Sequence, residues 1–277
     1  MSVTAPSLST RELGLPGWTV QISAPGPVTD ALTRLLAGLN FAGEPLPPMR
    51  LVISEDLQWM AGETDGRPLW HLPLPATQPL GALLGQCVAA ATMLLRRRLL
   101  VHAGAVAVRG RGLVIVGGSG TGKTSVVARL LERGGFYLSD EVALLDATAG
   151  TVEPFTIPMA IKLWTAKAIG RLPEGRDVAS DGEVRFFLPD RLQAAPVPVA
   201  HVVLLRPARR RAGLIPMSRG QMLIALGTHD SSLVHRDRLE EAFTGFSRLL
   251  RGVDCVAVEG PSPGACADLL VERLIDD

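Results

Sequence analysis

Val116-Gly117-Gly118-Ser119-Gly120-Thr121-Gly122-Lys123-Thr124-Ser125 is the stretch on which the reading of this 277-residue chain turns. The apolar, β-rich run Leu113–Val116 precedes it, and Lys123–Arg133 follows with helical spacing. A strand, a glycine-rich turn and a helix in that order bring consecutive backbone N–H groups to one point and add the positive end of the helix to them. The glycines permit positive φ and close approach of a ligand. This is the arrangement that cradles phosphates, so the predicted ligand set is Gly117, Gly118, Ser119, Gly120, Thr121, Gly122, Lys123, Thr124 and Ser125. Lys123 would lie against the β- and γ-phosphates of a nucleoside triphosphate, and the Thr124 hydroxyl would hold Mg2+. ATP and Mg2+ are the expected cofactors.

A Mg2+ site usually takes one or two carboxylates besides phosphate and water, and transfer to a hydroxyl needs a base. Two acidic strand ends compete for these roles. Phe136–Ser139 runs into Asp140-Glu141, and Val142–Leu145 runs into Asp146. The pair is preferred because two carboxylates can divide the work, one on the metal and one on the hydroxyl proton. Asp146 is followed by Thr148-Ala149-Gly150 and reads as a turn residue.

Of the chain's 28 basic residues only Lys123, Lys162 and Lys167 are lysine. Where arginine takes most positions that need a positive charge, a retained lysine marks a place for a compact ammonium. Lys162 therefore joins Lys123 as a candidate at the nucleotide site. A net charge of +1 argues against a nucleic-acid partner. Cys87, Cys255 and Cys266 show no metal-ligand spacing. The first 16 residues lack a charged start followed by an apolar run, so a cytoplasmic protein is expected.

Those residues read as a polar, irregular end. Trp18–Ile22 reads as a strand, Val28–Leu39 as a helix, and Leu51–Ile53, Leu57–Ala61 and Leu69–Leu72 as short strands, the last two joined through Asp65-Gly66. Leu80–Leu95 is nearly uncharged and precedes Arg96-Arg97-Arg98, but it falls short of a membrane span and reads as a buried helix. Residues 1–98 are thus assigned to a small α+β unit and 99–277 to the nucleotide-binding part. In the latter, Leu100–Val108 reads as one strand containing His102, and Val197–Leu205 as another before the basic loop Arg206–Arg211. Ser218 and Ser262-Pro263 are predicted helix starts, Arg238–Arg251 an amphipathic helix, and residues 170–190 a mobile loop or irregular hairpin.

From His102 to Glu141 the chain resembles the HPr kinase/phosphorylase family and its kinase-related cousins. His102-Ala103-Gly104, the loop Val116–Thr124, and Arg133-Gly134-Gly135-Phe136-Tyr137-Leu138-Ser139-Asp140-Glu141 carry the resemblance. It implies an α/β fold with a phosphoenolpyruvate-carboxykinase-like P-loop kinase core. It also implies that Asp140 is the base toward the acceptor serine, assisted by Glu141, with His102 in the active site; in the division of work between the two acids, Glu141 is the one expected near the metal. Glu141 stands where the family has aspartate, and Pro154–Lys162 stands where its downstream glycine-rich signature belongs. This is similar to the cousins that resemble kinases of precursor peptides in peptide natural-product pathways.

The leading expectation is an ATP-dependent kinase acting on a hydroxyl, the acceptor being a serine of a peptide or small protein. A small-metabolite kinase and a non-catalytic nucleotide-binding switch are the alternatives. No membrane partner is expected, and self-association is left open.

Overall fold

Leu113 and Ile115 face one side of their strand and Val114 and Val116 the other, and all four are buried. A strand covered on both faces reads as a continuous apolar run because neither face meets water. The computed structural model describes residues 8–39, 45–75, 77–95, 98–208, 211–230 and 239–274. It is a mixed α/β structure with three sheets.

The first sheet joins β1 (Leu8–Leu15), β2 (Trp18–Pro25), β3 (Met49–Ile53), β4 (Trp59–Thr64) and β5 (Arg67–Pro73) in that order. Helix α1 (Gly26–Leu36) makes the crossover between the parallel pair β2 and β3. The irregular end expected before Trp18 is a strand over its described part, Leu8–Leu15. Its sequence lacks a clean alternation because β1 is an edge strand held by the backbone ladder to β2. The β4–β5 hairpin turns at Asp65-Gly66, both at positive φ.

Helix α2 (Pro79–Leu94) packs on α1 and buries Leu83, Cys87, Ala90 and Ala91 completely. No helix among the described residues is long and apolar enough to cross a membrane. The core under this first sheet does not stop at residue 98. It continues into Leu100, Val142, Leu144, Phe155, Ile157, Val184 and Phe186.

The second sheet comprises β6 (Leu99–Val101), β7 (Gly104–Val108), β8 (Arg111–Val116), β9 (Phe136–Ser139), β10 (Ala143–Asp146), β11 (Thr151–Glu153), β15 (Val197–Pro207), β16 (Gly213–Pro216) and β17 (Asp254–Gly260). Its main path runs β6-β10-β11-β15-β8-β7-β9, with β17 beside β15 and β16 beside β17. Helices α3 (Lys123–Glu132), α4 (Leu163–Ile169) and α7 (Pro263–Leu274) lie on the face of Leu113 and Ile115. Helices α5 (Arg219–Asp230) and α6 (Leu239–Leu249) cover the face of Val114 and Val116.

The single strand expected over Leu100–Val108 is broken at His102-Ala103. The chain there leaves its pairing with β10 and takes up pairing with β8 and β9. Residues 170–190 take the second of the two forms read, an irregular hairpin whose register shifts between Asp177 and Ala179. They contain the hairpin of β13 (Gly175–Asp181) and β14 (Val184–Pro189), which with β12 (Met159–Lys162) forms the third sheet. Consecutive Phe186 and Phe187 face opposite ways, Phe186 into the core of the first sheet and Phe187 into that of the second.

Ser218 and Ser262 start their helices as read: Ser218 Oγ accepts from Gln221 N at 3.2 Å, and Ser262 Oγ from Ala265 N at 3.2 Å. Asp146 is a turn residue, its Oδ1 accepting from Thr148 N at 2.8 Å and Ala149 N at 2.9 Å. Those amides and Arg98 hold its carboxyl below the usual range against the opposing effect of partial burial. In the basic loop, Arg206 ends within β15 and pairs with Glu259 at 3.7 Å. Arg209 and Arg210, like Arg96, Arg97, Arg238 and residues 1–7, lie outside the described residues.

Gly104 is where α3 closes on the sheet. A Cβ there would stand 2.5 Å from Val127 Cγ2 of α3. Gly104→Ala is expected to cost about 1–3 kcal/mol, the usual penalty for overpacking. The obstructing atom is a side-chain methyl, so Gly104→Ala and Val127→Ala together should cost less than their separate effects summed. Urea unfolding of the three variants checks this; strict additivity would mean that the close approach does not constrain the fold.

Candidate functional site

Strand polarity assembles the site. β7 is antiparallel to both β8 and β9, so β8 and β9 point the same way. The carboxyl ends of β8 and β9 and the amino end of β7 therefore meet at one edge of the sheet. The glycine-rich loop leaves β8 there, Asp140-Glu141 leaves β9, and His102-Ala103 enters β7. β15 and β17 are parallel to β8 and end at the same edge. A crevice beyond the carboxyl ends of parallel strands is where α/β sheets place ligands.

The loop is tightly built. A Cβ on Gly117 would meet Leu205 O at 3.0 Å and Thr121 Oγ1 at 2.9 Å, so only glycine lets the loop lie against β15. Thr121 Oγ1 donates to Gly118 O at 2.8 Å. Gly122 caps α3 at φ 99° with no side-chain cap, which leaves the first N–H groups of the helix for a ligand. The Lys123 ammonium is buried and donates to Gly117 O at 2.8 Å and Gly118 O at 3.4 Å. Gly117, Gly118 and Thr121 thus serve the frame of the loop. Ser119, Gly120, Gly122, Lys123, Thr124 and Ser125 line a cleft of about 250 Å3. His102, Asp140, Glu141 and Lys162 line the same cleft, so the structure brings the predicted catalytic and basic residues to the loop.

Asp140 is 6% exposed, and its Oδ1 has no hydrogen-bond partner among the described residues. Burial pushes its carboxyl from 3.8 up to about 7. A hydrogen bond with the Thr124 side chain opposes that rise, Glu141 adds to it, and Lys123 and His102 oppose it. The His102 ring lies 3.2 Å from Glu141 Oε1 and 3.0 Å from Glu141 O through Nδ1. Glu141 is the exposed member of the pair, with 57% of its side chain accessible. The Thr124 side chain bonds to Asp140, and Glu141 lies against His102, so the two acids differ in their surroundings. Among the described residues no group of three or more His, Cys, Asp or Glu could hold a metal ion by itself.

Ala160, Trp164 and Thr165 also line the cleft and were not anticipated. Trp164 is 54% exposed on α4, two residues after Lys162. An aromatic two residues after the retained lysine was the available signal, but a side chain's exposure at a cleft is a tertiary fact. The chain matches no family model and no curated protein.

The Asp140 carboxyl ionises near 3.8 in an unfolded chain and about 7 in the folded one. Between those values the folded chain retains a proton that the unfolded chain has released. The group's contribution to stability therefore falls as pH rises from about 4 to about 7. Asp140→Asn, which keeps the shape without the charge, should raise Tm of the ligand-free protein at pH 8 and leave it nearly unchanged at pH 4. Equal shifts at both pH values would show that the carboxyl is not perturbed by burial.

Proposed function

We propose that this protein is an ATP- and Mg2+-dependent phosphotransferase acting on a hydroxyl, the acceptor being a serine of a peptide or small protein. The observation that carries the reading is Asp140: a buried carboxyl titrating about neutrality, against Thr124 and in the same cleft as Lys123 and the glycine-rich loop. A group tuned to that range suits general-base work near neutral pH, whereas a nucleotide switch needs a metal ligand but no such base. We read the core as phosphoenolpyruvate-carboxykinase-like, supported by the strand–loop–helix unit and by the resemblance of His102–Glu141 to the HPr kinase/phosphorylase family. The peptide or small-protein acceptor rests on the similarity to the kinase-related cousins.

In this reading the loop amides and the start of α3 bind the triphosphate. Lys123 exchanges its bonds to Gly117 O and Gly118 O for phosphate oxygens. The acceptor hydroxyl passes its proton to Asp140 as its oxygen bonds to the γ-phosphorus. The bond from that phosphorus to the bridging oxygen breaks, and ADP departs with the electron pair. Thr124 and Glu141 would hold Mg2+, their hydroxyl and carboxylate oxygens being donors that suit a hard cation, and an ion held there would neutralise phosphate charge. His102 holds Glu141 from the side.

Asp140→Asn should cut transfer by about 10²- to 10⁴-fold, the range for a lost general base, with Mg2+·ATP affinity nearly unchanged. Single-turnover transfer from γ-labelled ATP to serine acceptors, with calorimetric ATP binding alongside, measures both. Proportional loss of affinity and transfer would make Asp140 a metal ligand instead. Tight ATP binding by the wild type without transfer to any peptide, protein or metabolite would favour a switch.

Lys162→Arg preserves charge but replaces a compact ammonium with a planar fork. Its transfer rate should fall at least tenfold, about 1.4 kcal/mol. A wild-type rate would remove Lys162 from the site.

A further inference from the structure

A second cavity, of about 300 Å3, shares Asp140, Glu141, Ala160 and Lys162 with the cleft at the glycine-rich loop. No residue of that loop lines it. Its volume is at the small end of those that hold ligands. A base that moves a proton from an acceptor must face the acceptor as well as the phosphate, and Asp140 borders both spaces. Beyond Asp140 the walls change character. Leu84 and Val88 of α2 stand on one side, and Ile157, Val184 and Phe186 on the other. Gly81 and Gly85 lie four residues apart on α2, and a Cβ on Gly81 would touch Phe186 Cζ at 3.7 Å. A Cβ on Gly85 would meet nothing within 4 Å.

The wall from α2 is anchored to the third sheet. Asp181, at the end of β13, accepts from the Gly81 amide at 3.1 Å and lines the cavity. Among the described residues, Asp140, Glu141 and Asp181 give the lining three carboxyl groups against the ammonium of Lys162. Acidic groups are therefore disfavoured, and a neutral apolar group is favoured by the aliphatic and aromatic walls.

We propose that this cavity is the acceptor pocket and that it takes a neutral apolar side chain adjacent to the acceptor serine, so that α2 reads the substrate. The proposal rests on the reading of Asp140 as the acceptor's base. It gives the N-terminal segment a task in specificity: the segment's helix faces the acceptor while the loop faces the nucleotide.

The probes are two peptides, acetyl-Gly-Gly-Leu-Ser-Leu-Gly-Gly-amide and the same peptide with Asp in place of both Leu. Binding to the full chain is measured calorimetrically with Mg2+ and a non-hydrolysable ATP analogue, and transfer is measured with γ-labelled ATP. The Leu peptide should bind at least tenfold more tightly than the Asp peptide. Gly85→Leu, which fills open space on a helix, should weaken the Leu peptide at least tenfold while analogue affinity stays unchanged. Gly85→Ala should give a smaller loss in the same direction and serves if the larger residue disturbs folding, judged by circular dichroism.

Failure of the Leu peptide to bind, equal binding of both peptides, or wild-type binding in both Gly85 variants would overturn the pocket assignment. Selective binding that Gly85→Leu abolishes, without label transfer, would uphold the pocket and sink the kinase reading. The two failures are therefore distinguishable.

Discussion

Strand β7 runs against both of its neighbours, and this opposition fixes which chain segments can meet. Had β7 been parallel to β8, its amino end would lie at the far edge of the sheet, and His102 with it. Because it is antiparallel, the loop after β8, the break before β7 and the acids after β9 converge within one crevice. Small residues make the arrangement compact: Gly104, Ala105 and Ala107 line β7, and α3 approaches so closely at Gly104 that a methyl group would strike Val127. That approach also sets the distance from the loop to Asp140, since α3 begins at Lys123 and Asp140 Oδ1 lies 3.7 Å from the position of a Gly104 Cβ.

Two adjacent carboxyls of like charge acquire different characters in this crevice because their solvation differs. Asp140 is buried, and desolvation outweighs the favourable fields of Lys123 and His102 together with the bond to Thr124. Glu141 projects into solvent beside His102. An acidic pair that looks symmetrical in sequence thus becomes one buried, proton-holding group and one exposed group. Lys123 shows the complementary solution for a cation: it is buried, and backbone carbonyls of its own loop solvate it.

The N-terminal residues are tied to this crevice through a shared core. Phe186 and Phe187 sit back to back on β14 and join the two packing layers, so displacement of one layer is felt by the other. Arg98, just past the first sheet's segment, donates through Nε to Glu153 Oε1 at 2.9 Å and lies 3.5 Å from Asp146 Oδ2. Burial raises the Glu153 carboxyl and Arg98 restrains that rise. Such a pair adds little net stability, but losing one partner strands a buried charge, commonly at about 3–5 kcal/mol. The second cavity lies where these layers meet, bounded by α2 on one side and β14 on the other.

Local signals were sufficient for much of this. The glycines and Lys123 mark the loop because backbone geometry at a strand–helix turn is set by neighbours in sequence. Asp146 reads as a turn from the residues that follow it, and Ser218 and Ser262 announce helix starts through bonds spanning three residues. Strand β1 escaped detection because an edge strand is held by its partner's backbone rather than by its own apolar pattern. The break at His102-Ala103 was invisible because Leu100–Val108 is uniformly apolar on either side, and only the change of pairing partner divides it. The sequence by itself determined the strand–glycine loop–helix unit and named Asp140, Glu141, His102 and Lys162 as residues to watch. Only the tertiary structure decided that they share a cleft, that Asp140 is the buried acid, and that α2 walls the adjoining cavity. Burial and proximity arise from long-range packing, which no single segment encodes.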